Sequence, residues 1–154
     1  MEQLEQKIIE TAFKKIDTLS DDELEKLCGD YAETQPELLD YVLSASLEYN
    51  NAQLEGLIIY YFCIFMEINS LRNTSKKRIN NEEVIDFEEE FLEVIKDYFQ
   101  NENLDVLEEY TDQPELVQFM IMEISTPDED GSQLEDETAI QLFISCIAMI
   151  KLLN

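Results

Sequence analysis

The tetrapeptide Gln-Pro-Glu-Leu occurs twice, at residues 35–38 and 113–116. An apolar pattern at helical spacing follows each copy, through Leu39, Val42 and Leu43 in one case and Val117, Met120 and Ile121 in the other. The copies lie 78 positions apart, about half of a 154-residue chain. Proline has a fixed φ and no amide donor, so a helix accepts it best in the first turn, where that donor has no intrahelical partner. Two matching prolines therefore mark two helix starts in register. The echo continues with small gaps. Gln53-Leu54-Glu55 parallels Gln133-Leu134-Glu135, and Cys63-Ile64-Phe65-Met66 parallels Cys146-Ile147-Ala148-Met149. The chain reads as two tandem, related four-helix units, 1–70 and 80–154, joined by a basic linker at 71–79 and packed as a single domain.

Apolar periodicity fills in the helices. Leu4, Ile8, Ala12 and Ile16 mark the first, over 2–18. Ser20 with Glu23 forms a capping box for a second helix through Leu24, Leu27 and Tyr31, weakened by Gly29. Thr34 with Glu37 reads as another such box, for a third helix reaching about Tyr49. Asn50-Asn51 breaks the chain and caps a fourth helix over about 52–70. Asn80 with Glu83 opens a fifth, through Val84, Phe87, Phe91, Ile95 and Tyr98. A short sixth helix runs from Leu104 to Tyr110, Asp112 with Glu115 starts the seventh, and Ser132 with Glu135 starts the last, which ends at Leu153. The fourth and last helices are apolar on nearly all sides, which predicts that protein surrounds them. The fold class is all-α, a compact bundle of about eight helices. A unit of roughly 80 residues is about twice the helix pair of a helical solenoid, so solenoid-like stacking is the other arrangement this pattern allows.

Charge sets the second constraint. The chain carries 36 acidic and 10 basic residues, a net of −26. A disordered acidic chain would lack apolar residues; this one is 45% hydrophobic, with eight Phe and seven Tyr. Such a field disfavours nucleic acid and anionic membranes as partners, although it serves solubility on its own account. The longest apolar run, Leu57 to Met66, is too short to cross a bilayer. No signal-peptide core opens the sequence, and an odd set of distant cysteines (Cys28, Cys63 and Cys146) favours reduced, buried thiols in the cytoplasm. Cys28 has acidic rather than basic neighbours in sequence, which raise a thiol pKa.

Catalytic signatures are missing. The absence of histidine removes serine and cysteine triads, histidine metal sites and the Glu-x-x-His pairs of di-iron bundles. Three scattered glycines make no phosphate loop. Two weak metal patterns remain. Glu90, Glu93 and Asp97 share a helix face, a pattern that a solvated face explains as well. Taking Gly131 as position six of a calcium loop puts Asp128 at three, Asp130 at five and Glu137 at twelve, but Thr126 stands first where Asp is required. The basic cluster Arg72, Lys76, Lys77 and Arg78 reads as relief for neighbouring carboxylates.

These features predict a non-enzymatic acidic helical interaction module that docks a basic partner protein and needs no cofactor. A toxin-neutralising, immunity-like protein or a mimic of nucleic acid would be special cases. The candidate partner-binding residues are Glu82, Glu83, Glu89, Glu90, Glu93 and Asp97, the densest acid in the chain. Two alternatives come from other classes: a carboxylate-dependent divalent-metal-binding protein or hydrolase, and a self-associating structural protein, most simply a homodimer.

Overall fold

The computed structural model describes residues 2–48, 51–72, 78–111, 113–125 and 136–153. Eight helices and no strand occur among them: α1 Glu2–Asp17, α2 Asp21–Thr34, α3 Pro36–Glu48, α4 Ala52–Leu71, α5 Asn81–Asn101, α6 Leu104–Thr111, α7 Pro114–Ser125 and α8 Asp136–Leu153. Pro36 and Pro114 are the first residues of α3 and α7. Side chains stop and start the chain much as their chemistry requires. Ser20 and Glu23 form the reciprocal capping box of α2. The Asn51 side chain accepts from the Leu54 amide at 3.0 Å, and that of Asn80 from the Glu83 amide at 2.9 Å. The second predicted box does not form. α2 continues through Thr34, whose hydroxyl donates to the Tyr31 carbonyl at 2.8 Å. Glu37 is instead held by Arg78 through two 3.0 Å bonds. Asp112, Ser132 and Glu135 lie outside the described residues.

α4 and α8 form the centre and pack most extensively on each other. Around α4 lie α1, α2 and α3; around α8 lie α3, α5, α6 and α7. Two hydrogen bonds give the direction of the central pair. Asn51 Nδ2 donates to Thr138 Oγ1 at 3.0 Å at the N-terminal ends, and Asn69 Nδ2 donates to the Leu153 carbonyl at 3.2 Å at the C-terminal ends. The two helices therefore run parallel. Leu54, Ile58, Phe62, Cys63 and Ile64 of α4 are fully buried, as are Cys146, Ile147, Met149 and Ile150 of α8. By length and composition alone α4 could span a membrane, with a mean hydropathy of 1.4 over an 18-residue window. The ten-residue apolar run thus understates this helix, which here is packed by four neighbours.

One carboxylate sits in this centre. Glu67 of α4 is 3% exposed. It accepts from Lys15 Nζ at 2.9 Å and from Tyr31 Oη at 2.6 Å, so α1 and α2 each supply a donor. A buried carboxylate is tolerated only with partners of this kind. In the same way the buried Gln35 side chain accepts from the Ile79 amide at 2.9 Å. With the Arg78–Glu37 pair, this fixes the chain entering α5 onto the start of α3.

Phe62 has no exposure, so Phe62→Ala should cost about 3–5 kcal/mol in urea unfolding, from lost transfer energy plus a cavity. By contrast, a Cβ added at Gly29 or Gly56 meets nothing within 4 Å. Both lie inside helices, so alanine at either should stabilise by about 0.5–1 kcal/mol. A neutral Phe62→Ala, or destabilising alanines, would contradict this packing.

Candidate functional site

α5 forms because one side of a 21-residue segment is apolar and much of the rest is acid. Val84, Phe87, Phe91 and Ile95 are its buried residues. Phe87 and Phe91 stack with ring centroids 4.7 Å apart, and Tyr41 of α3 meets Phe87 edge-on at 6.2 Å. Outside, Glu82, Glu83, Glu89, Glu90 and Glu93 are exposed; Asp97 is half-buried and accepts from Asn101. The structure therefore brings the six candidate residues onto one helix, with Asp97 least accessible. Eight carboxylates and a single lysine, Lys96, lie along α5. Glu88 faces Tyr41 and Glu90 faces Tyr110. Burial first, and then these carboxylates, push each phenol up to about 12.

Three of the described cations have partners off α5. Lys15 is on Glu67. Arg78 is on Glu37, whose carboxyl it holds below its ordinary range by hydrogen bonding. Lys151 lies over the Tyr110 ring at 4.7 Å from its centroid. Arg78 bears out the reading of the basic cluster as charge relief at that one position; residues 73–77 lie outside the described residues.

An apolar feature on the same helix escaped the charge-based reading. Ile85 and Leu92 are each 60% exposed, and Phe99 is 44% exposed. A seven-residue step returns to nearly the same helix face, drifting by about 20°, so the three form a stripe beside Glu82, Glu89 and Glu93. At about 1.5 Å per residue it is roughly 21 Å long. It ends at a groove. α5 and α7 both pack on α8 but barely on each other. The gap between their C-terminal ends is an open cavity of about 180 Å³, lined by Tyr98 and Phe99 of α5, Ile121 and Ile124 of α7, and Ile140 and Phe143 of α8. The sequence did hold a clue. α5 has more large apolar residues than one buried arc accommodates, and 85, 92 and 99 are the surplus.

The metal candidates are not brought together by anything described. Asp128 and Asp130 lie outside the described residues, and Glu137 is exposed in the first turn of α8. Among the described residues no three Cys, Asp or Glu side chains are grouped as a metal site.

The thiols differ from one another. Cys146 is buried, and burial pushes it up. Cys28 is half-exposed on α2, beside the buried Cys63 of α4. Interaction with Cys63 lowers the Cys28 thiol to about 7 against the opposing effect of burial, and raises Cys63. The sequence neighbours of Cys28 predicted the opposite shift; a residue from another helix overrides them. Alkylation by iodoacetamide should therefore occur first at Cys28, with its rate rising through about pH 7. Cys63 and Cys146 should react only on unfolding. A Cys28 that titrates near an ordinary thiol value would contradict this influence of Cys63.

Comparison of the chain with protein-family models, with curated proteins and with solved structures finds no match in any of the three.

Proposed function

We propose that this protein is a non-enzymatic interaction module whose α5 face docks a basic partner protein. The observation that carries the reading is the juxtaposition on one outward helix face. Exposed carboxylates with only Lys96 among them adjoin large apolar side chains that are more than two-fifths exposed. Protein interfaces combine these elements, an apolar centre and a polar rim, and the field of the rim sets association rate and partner choice. Neutralisation of a basic protein, as by an immunity protein or a nucleic-acid mimic, is the form of this function that the charge favours. The same field argues against nucleic acid and anionic membranes as partners, and the reduced thiols argue for a cytoplasmic setting.

We also infer that the eight helices are two related units of four. Three facts support this. α3 and α7 both open on proline. α4 and α8 run parallel, as a twofold axis along them requires. The ring contacts between halves are crossed: Tyr41 of α3 meets Phe87 of α5, and Phe119 of α7 meets Phe13 of α1 at 4.9 Å, with Tyr41 and Phe119 again 78 positions apart. The halves differ at Glu37 and Glu115. The first pairs with Arg78, whereas a buried Glu115 Oε2 has no hydrogen-bond partner among the described residues.

Docking is tested by capture from cell extract with the native protein and with the variant Glu82→Gln, Glu89→Gln, Glu90→Gln, Glu93→Gln. A basic protein should be retained by the first and not by the second. Its purified association rate should fall about tenfold or more between 20 and 200 mM salt. Capture of the same partner by both proteins at equal rates would contradict the reading.

A further inference from the structure

We propose that the occupant of this face is a cationic amphipathic helix of the partner. Its apolar side would lie along Ile85, Leu92 and Phe99, and one large apolar side chain would enter the groove between α5 and α7. The inference rests on the reading of α5 as a docking face and specifies what docks there.

Four observations select this occupant. The first is length. The stripe of about 21 Å equals roughly 14 residues of helix, so anchors at i, i+7 and i+14 on a partner helix, with others a turn on at i+3 or i+4 and at i+10 or i+11, would reach Ile85, Leu92 and Phe99 in turn. The second is shape. The groove is lined by Ile121, Ile124, Ile140 and Phe143 and open to solvent, with a volume of about 180 Å³ that suits one large apolar side chain rather than a whole small molecule. The third is charge. Glu82, Glu89 and Glu93, with Lys96 the one cation among them, run along one side of the stripe and Glu88 along the other. Lysine or arginine beside the apolar anchors of the partner would therefore meet a carboxylate on either flank. The fourth is backbone chemistry. α5, α7 and α8 are helices whose interior amides and carbonyls bond within the helix, so the surface offers no sheet edge to an extended peptide.

A second copy of this chain fits poorly. It would bring another eight carboxylates of α5 against the first eight, and like charges at close range oppose association. A flexible polybasic segment would satisfy the acid but leave the apolar stripe in water.

The test uses a synthetic 18-residue peptide with leucine at heptad positions a and d and lysine or arginine elsewhere. Its control has the same composition with the leucines scrambled out of helical register. Both are titrated into the full-length protein at physiological salt. The registered peptide should bind at least tenfold more tightly than the scrambled one and gain helicity on binding. Leu92→Ser with Phe99→Ser removes exposed apolar surface without touching charge. It should reduce the registered peptide to the affinity of the scrambled one and leave the scrambled one unchanged. Glu82→Gln, Glu89→Gln, Glu93→Gln should weaken both. If the two peptides bind equally and the serine variant changes nothing while the glutamine variant weakens both, the helix is overturned and docking of a basic partner stands. If the glutamine variant also changes nothing, the docking reading itself fails. A native dimer in sedimentation that the serine variant dissociates would identify a second copy as the occupant and overturn the proposal.

Discussion

Two apolar helices lying parallel are the constraint on which the rest of the structure depends. α4 and α8 have no polar face to give to water, so each must be enclosed, and together they leave room for the other helices around them. Side-chain amides at the two ends hold their direction: Asn51 on Thr138, and Asn69 on the last turn of α8. The surrounding helices then need only one apolar face each. α2 illustrates how little is required. None of its residues is fully buried, yet Leu24, Leu27, Cys28 and Tyr31 are packed against the core. Glu67 is the exception inside the centre, and its two donors come from α1 and α2, so the same carboxylate that interrupts the apolar helix also locates two of its neighbours.

The arrangement separates structural charge from free charge. A net of −26 cannot be neutralised by ten cations. Lys15 and Arg78 bridge distant elements, at Glu67 and Glu37, and in that role they hold the fold rather than dilute the acid on α5. α5 thus carries its carboxylates into water beside Ile85, Leu92 and Phe99. An amphipathic helix ordinarily needs one apolar arc. This one has a buried arc and an exposed stripe, and only the first is accounted for by folding.

Most of the helical layout was legible from local chemistry. Apolar spacing placed all eight helices, Ser20, Asn51 and Asn80 cap where their side chains suggested, and the two prolines open helices as their missing donor requires. Failures occurred where a distant residue decides. Thr34 and Glu37 match a capping box, but Arg78 takes the glutamate and α2 runs on through the threonine. Glu67 directly follows the apolar run Leu57 to Met66, and nothing near it in sequence shows Lys15 and Tyr31 closing over it. The neighbours of Cys28 along the chain point to a raised thiol pKa, whereas Cys63 on another helix lowers it. The acidic residues of α5 are plain in the sequence. The stripe beside them needed the structure to show which apolar residues the core leaves over.

If the α5 carboxylates are kept for a partner rather than for the fold, they must oppose folding when no partner is present. Urea unfolding of the native chain and of the variant Glu82→Gln, Glu89→Gln, Glu90→Gln, Glu93→Gln, as a function of sodium chloride, measures this directly, because urea leaves the ionic strength unchanged. At low salt the variant should be the stabler protein, by about 0.5–2 kcal/mol, since it removes like-charge pairs at helical spacing. The gap should close towards 1 M salt, where the screening length falls to about 3 Å. A variant less stable than the native chain at low salt, or a gap that salt does not change, would mean that these carboxylates hold the fold, and would contradict the account.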